Sequence, residues 1–259
     1  MGIVNVTPDS FFPASRSTTT NDALARGRAL FDAGCDIVDV GGESTRPGAQ
    51  GVGLAEELAR VIPVVAALAH AGPVSIDTQK VLVAREAVAA GATVINDVSC
   101  TLLELAGELN VGYVVMHRRG DSLTMQLDPH YDDVLGEVLA FLRNQAERAH
   151  SLGVAPLWLD PGIGFGKTVE HNLALLAGAE RLVAMAREFG AGVLIGTSRK
   201  RFLGQVGPRV LEVDERLEGS IATEAWAMLQ GVSMVRVHDA GAAVQLRELL
   251  VRPLEEVVA

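Results

Sequence analysis

Short runs of near-continuous apolar residues recur along the chain, each followed by a longer stretch in which apolar positions return every three or four residues. The runs GIVNV (2–6), IVDVG (37–41), PVSID (73–77), TVIND (93–97), GYVVMH (112–117), LWLD (157–160), GVLIG (192–196) and MVRVH (234–238) read as eight strands. They do not alternate apolar with polar, which suits strands of a parallel sheet covered on both faces. The stretches between them are rich in Ala, Leu, Glu and Arg with helical spacing. In residues 131–153, for example, Val134, Val138, Phe141, Leu142 and Ala149 fall on one helix face. No linker or low-complexity run divides the chain.

Eight β/α pairs in 259 residues predict a single (β/α)8 TIM barrel, one domain over residues 1–259, and suit a doubly wound sheet less well. Polar residues gather at the C-terminal ends of the strands: Asn5 and Thr7, Glu43 to Arg46, Asp77 and Thr78, Asn96 and Asp97, His117, Asp160, Ser198 to Lys200, and Arg236, His238 and Asp239. The N-terminal ends carry almost nothing polar. A barrel whose βα loops build a site on one face produces this asymmetry.

Residues 160–168, DPGIGFGKT, end like a phosphate-binding Walker A loop, but the first glycine of that pattern falls on Pro161. Gly162, Gly164 and Gly166 alternate, so G-x-G-x-x-G does not fit either. The stretch is a strand-to-helix loop that opens with a carboxylate, and its residues alone leave the ligand open.

Composition narrows the classes. Hydrophobic residues make up 49% and mean hydropathy is +0.27, enough for a large core. No apolar run reaches the roughly 18 residues of a membrane span, and no charged segment precedes an apolar one at the N-terminus, so no membrane partner and a cytoplasmic location are expected. The net charge of −10 and pI of about 5.1 argue against nucleic acid as a partner. Cys35 and Cys100 suit no metal spacing and are expected as buried free thiols. Of 22 basic residues only Lys80, Lys167 and Lys200 are lysines, which draws attention to the two that stand at strand ends.

Taken singly, each polar cluster has an ordinary structural explanation: a strand-end Asp is often a helix N-cap, SRKR a solvated basic run, His238 a core histidine, Trp158 a packing residue. Their joint placement points to one site. The stretches GIVNVTPDSF, GGESTRPGA, SIDT, INDVS, MH with a later TMQ, DPGIGFGKT with HN, GTSRKRFLG and RVHDA resemble, in this order from Met1 to about Ala240, the dihydropteroate synthase family of pterin-binding enzymes.

That resemblance implies condensation of 6-hydroxymethyl-7,8-dihydropterin pyrophosphate with p-aminobenzoate, with release of pyrophosphate. It implies Asp77, Asn96, Asp160 and Lys200 as catalytic and pterin-binding residues, with Met116 and Phe165 as apolar walls and Gly162, Gly164 and Gly166 letting the backbone approach the ring. Asp97 would add a carboxylate nearby. Asn5, Arg236 and His238 would hold pyrophosphate, and Asn5 would also reach Mg²⁺, the implied cofactor. Phe11, Thr45, Arg46 and Pro47 would hold p-aminobenzoate, with Arg201 close by. Sulfonamides are the expected inhibitors. A homodimer is expected, and apolar residues in AWAML (225–229) and VQLRELL (244–250) would suit an interface.

Two departures stand out. Pro13 replaces an aspartate usual in the loop after the first strand, leaving Asp9 as the nearest carboxylate, and a double glycine is missing after NDVS. The altered loop after the first strand keeps open a non-catalytic pterin-binding paralogue. A methyl-folate:corrinoid methyltransferase barrel would share Asp77, Asn96 and Asp160 but gives no reason for SRK or RVHD.

Overall fold

The structure is a computed structural model that describes residues 1–7, 19–44, 48, 51–121 and 124–251. Eight parallel strands pair in sequence order: β1 (Gly2–Asn5), β2 (Val38–Gly41), β3 (Val74–Asp77), β4 (Val94–Asp97), β5 (Gly112–Met116), β6 (Leu157–Asp160), β7 (Gly192–Ile195) and β8 (Met234–Val235). All eight predicted strands are present, each starting or ending within a residue or two of its apolar run except β8, which stops at Val235. Nine helices are found among the described residues: α1 (Thr20–Asp32), α2 (Leu54–Leu68), α3 (Val81–Ala89), α4 (Leu103–Leu109), α5 (Val134–Ser151), α6 (Val169–Ala177), α7 (Ala179–Arg187), α8 (Leu217–Leu229) and α9 (Ala240–Val251). The curled parallel sheet with its helices is of TIM-barrel type. Beyond β8, Val237 N donates to Met1 O (2.9 Å) and Ile3 N to Val237 O (3.1 Å), bridging the last strand's continuation to β1.

The doubly apolar strands follow from two separate apolar layers. One set of strand residues, including Val38, Val40, Ile76, Ile95, Val115, Leu159, Val193 and Ile195, packs against helix residues such as Leu30, Val61, Leu68, Val83 and Leu142. The alternate set forms a smaller cluster inside the curled sheet: Met1, Ile37, Val94, Val114 and Leu194, with Trp158 and Met234 against it. Side chains two residues apart share a face of a strand. The residues two further along from this floor are therefore Ile3, Asp39, Asn96, Met116, Asp160, Gly196 and Arg236. Polar and charged side chains thus first enter the interior in this layer, and this places the chemistry toward the C-terminal ends.

Local signals mark the helix starts. Thr19 and Asp22 form a capping box before α1, Asp133 accepts from Gly136 N (3.0 Å) at the start of α5, and Thr168 with His171 forms a box before α6. In α5, Val134, Val138, Leu142 and Ala149 are buried as predicted, and Phe141 is half-buried. Cys35 and Cys100 are free but half-buried rather than fully enclosed. No helix among the described residues is long and apolar enough to cross a membrane.

Candidate active site

A cavity of about 790 Å³ opens at the C-terminal ends of the strands. Asn5, Asp77, Asn96, Met116, Asp160, Phe165, Lys200, Arg236 and His238 all line it, so nine residues singled out from the sequence meet in one space. Arg201 lines it too. Phe11, Thr45, Arg46 and Pro47 lie outside the described residues, as do Asp9 and Pro13.

The loop from Asp160 to Thr168 is held shut by its own side chains. Asp160 Oδ1 accepts from Gly162 N (2.7 Å). Asn172, buried in α6, accepts from Gly164 N (2.7 Å) and donates to Thr168 O (2.7 Å), while Gln126 Nε2 donates to Gly164 O (2.7 Å). Gly162 and Gly166 have φ of +67° and +65°, and a Cβ on them would lie 1.8 Å from His117 O and 2.2 Å from Arg119 O. These two glycines thus let the loop pass against the backbone that leaves β5. Lys167 lines the cavity but is almost wholly buried, with its ammonium engaged by the protein itself. Its Nζ is buried against Phe165 O (3.0 Å), His117 O (3.4 Å) and His117 Nδ1 (3.0 Å), three acceptors for three ammonium protons. Burial pushes Lys167 down to about 7, and burial with the nearby Lys167 and Arg119 charges pushes His117 down to about 3. Lys200 Nζ donates to Ile163 O and sits 4.7 Å from the Phe165 ring centre.

Charged groups form the cavity floor. Arg236 Nε donates to Asp39 Oδ2 (2.7 Å) and Nη2 to Asp77 Oδ2 (2.9 Å), and Asn96 Nδ2 donates to the same Asp39 oxygen (2.9 Å). Burial raises Asp77 to about 7; Arg236 opposes this, and the charges of Asp39, Glu57 and Asp97 add to it. Burial also raises Asp160, opposed by Lys200, the Gly162 N–H and Lys167. The guanidinium of Arg236 is pushed down by burial but lifted more by the carboxylates of Asp39 and Asp77. His238 meets Ser198 Oγ through its backbone N (3.1 Å) and Nδ1 (3.2 Å).

One sequence expectation changes. Asp97 is not a cavity carboxylate. It accepts from Ser99 N (2.7 Å), Thr101 N (2.8 Å), Leu102 N (2.9 Å) and Tyr113 Oη (2.8 Å), tying the loop before α4 to β5. The SRKR run is not a solvated stripe. Arg199 is buried in a two-pronged pair with Asp239 (2.8 and 3.0 Å), and only Arg201 is exposed. Asp39 was not anticipated as a site residue. Its signal was a carboxylate at the centre of the apolar strand IVDVG, two residues before the strand end. Lys80, the third lysine, pairs with Glu43 and Glu57 under the β2 loop.

The model of the pterin binding enzyme family matches residues 1–238. Dihydropteroate synthase of Escherichia coli is 44% identical over 250 residues, 92% of this chain and 86% of its own length. The Yersinia pestis dihydropteroate synthase, solved in complex with a sulfonamide drug, superposes with a TM-score of 0.89 at 39% identity, covering 96% of this chain and 92% of that one. The Xanthomonas albilineans dihydropteroate synthase, solved with 4-aminobenzoic acid, gives 0.86 at 44% identity and covers 98% and 93%. The chain belongs to the pterin binding enzyme family as a member of the dihydropteroate synthases.

Proposed function

We propose that the cavity joins 6-hydroxymethyl-7,8-dihydropterin pyrophosphate to p-aminobenzoate, giving 7,8-dihydropteroate and pyrophosphate. The observation that carries this reading is the pairing of one buried carboxylate–amide group (Asp77, Asn96, Asp160) with a second group of Asn5, Arg236 and His238 along the wall of one cavity. The first suits the N–H-rich edge of a pterin, for which an ionised carboxylate offers two acceptors. The second suits an anion.

In this reading Asp160 and Asn96 take the amino-pyrimidine edge, Asp77 adds a carboxylate, Lys200 reaches the ring, and Met116 and Phe165 wall it. The amine nitrogen bonds to the ring-bearing CH2 as the C–O bond breaks, and the electron pair leaves with pyrophosphate. The amine then loses a proton. The floor carboxylates favour the positive charge that develops on the pterin carbon, while Arg236 and His238 receive the leaving group. The donor set fits Mg²⁺ held mainly through substrate phosphates. Among the described residues no cluster of three or more His, Cys, Asp or Glu competes for it, and Asn5 offers one amide oxygen. The ion would neutralise charge on the departing pyrophosphate.

The hydrogen bonds between Val237 and β1 support closure of the sheet into one (β/α)8 barrel domain. Exposed Trp226 and Leu229 on α8 and Leu249 on α9 support a homodimer, and a cytoplasmic site with sulfonamide inhibition completes the reading. The test is to mix the protein, Mg²⁺, the pterin pyrophosphate and p-aminobenzoate and assay dihydropteroate and pyrophosphate. Absence of both products overturns it.

A further inference from the structure

Asp39 is fully buried at the centre of β2, above the apolar floor and below the substrate-facing residues. One oxygen, Oδ2, accepts from Arg236 of the chain after β8 (2.7 Å) and from Asn96 of β4 (2.9 Å). These partners come from opposite sides of β2, and the function proposed above gives one to the pyrophosphate and the other to the pterin. Arg236 uses Nε on Asp39 and Nη2 on Asp77, so its plane is fixed by two carboxylates.

We propose that Asp39 is a positioning residue: without reaching substrate, it aligns Arg236 and Asn96 from beneath and so couples the anion end of the cavity to the ring end. This inference rests on the reading of the cavity given above. Asparagine at this position would keep an amide oxygen and the shape, but would remove the charge that orients the guanidinium. Arg236 would then be held by Asp77 alone. Asp77 is faced by Arg236, by Asp39 from β2, by Glu57 from α2 and by Asp97 from β4, with burial the largest influence on it. Loss of the Asp39 charge therefore lets Asp77 ionise at lower pH.

The experiment compares the whole protein with its Asp39→Asn variant in steady-state assays from acid to alkaline pH. The expected result is a KM for the pterin pyrophosphate raised roughly tenfold or more, as for loss of a charged hydrogen bond, with the KM for p-aminobenzoate changed much less. The acid limb of kcat/KM should also move to lower pH, which a change in folding alone would not cause. In the double variant Asp39→Asn with Arg236→Gln, the loss should be no larger than in Arg236→Gln alone. This comparison carries the test if the single variant does not fold. Equal losses for both substrates with an unmoved limb, or additive losses in the double variant, overturn the proposal. If the unaltered protein makes no dihydropteroate, the functional reading fails by itself. Calorimetry with a free pterin and with inorganic pyrophosphate then decides: Asp39→Asn must weaken both, and unchanged affinities overturn the positioning role.

Discussion

Lys167 Nζ lies 3.0 Å from His117 Nδ1, so two basic side chains meet inside the protein rather than avoid each other. The contact works because the imidazole stays neutral and accepts, while two backbone carbonyls take the other ammonium protons. It joins the glycine loop that carries Asp160 to the exit of β5.

This pairing sets an acid-side stability slope. His117 is held near 3 in the folded protein against 6.5 when free, so the unfolded chain binds a proton that the folded one refuses between these values. Stability is therefore present above pH 6.5 and is lost as pH falls toward 3. His117→Asn should reduce the slope by up to one proton, about 1.4 kcal/mol per pH unit. Denaturant titrations at several pH values measure it, and an unchanged slope would show that another group carries the transition.

Asp160 faces the ring end with one oxygen committed to Gly162 N. Asp160→Asn keeps the shape but replaces a charged acceptor. Pterin affinity should fall by about 1.5–3 kcal/mol, the range for hydrogen bonds to charged groups. Isothermal calorimetry with a pterin ligand reads this directly, and full affinity would move the ring away from Asp160.

Asp97 and Asp77 show what the sequence could and could not tell. Both end an apolar strand with a carboxylate, and SIDT and INDVS look alike as text. Asp77 turns into the cavity and Asp97 turns toward the α4 loop, because alternate strand residues face opposite sides. Strand order, the polar end of the barrel and nine site residues were legible because period and position carry that information. The side on which a terminal residue falls depends on strand register to within one position, which apolar runs do not fix. Asp39 was hidden for a related reason: its partners, Asn96 and Arg236, lie 57 and 197 residues away in sequence.

The same contrast predicts a separation of effects. Asp97→Ala removes acceptors from Thr101 N, Leu102 N and Tyr113 Oη together. The loss should be about 2–4 kcal/mol of stability, as for a broken buried network. Pterin affinity of the folded fraction should stay near that of the unaltered protein. Thermal melts and ligand titration test the two halves, and a large affinity loss without destabilisation would return Asp97 to the binding site.

Glu224 offers a stabilising change away from the cavity. It is 3% exposed on α8, and burial raises it to about 8; the neighbouring Asp239 adds to this and the amino group of Met1 opposes it. Its ordinary value is 4.5, so below that pH folded and unfolded chains are both protonated and the residue is neutral to stability. As pH rises from 4.5 toward 8 the unfolded chain ionises first, and folding stability falls until the folded carboxyl also ionises. Glu224→Gln keeps the volume and cannot ionise. Its melting temperature should match or fall slightly below that of the unaltered protein near pH 4.5 and exceed it increasingly toward pH 8, by an amount on the order of 1–3 kcal/mol in stability. A constant difference across that range would mean that packing, rather than charge burial, governs the position.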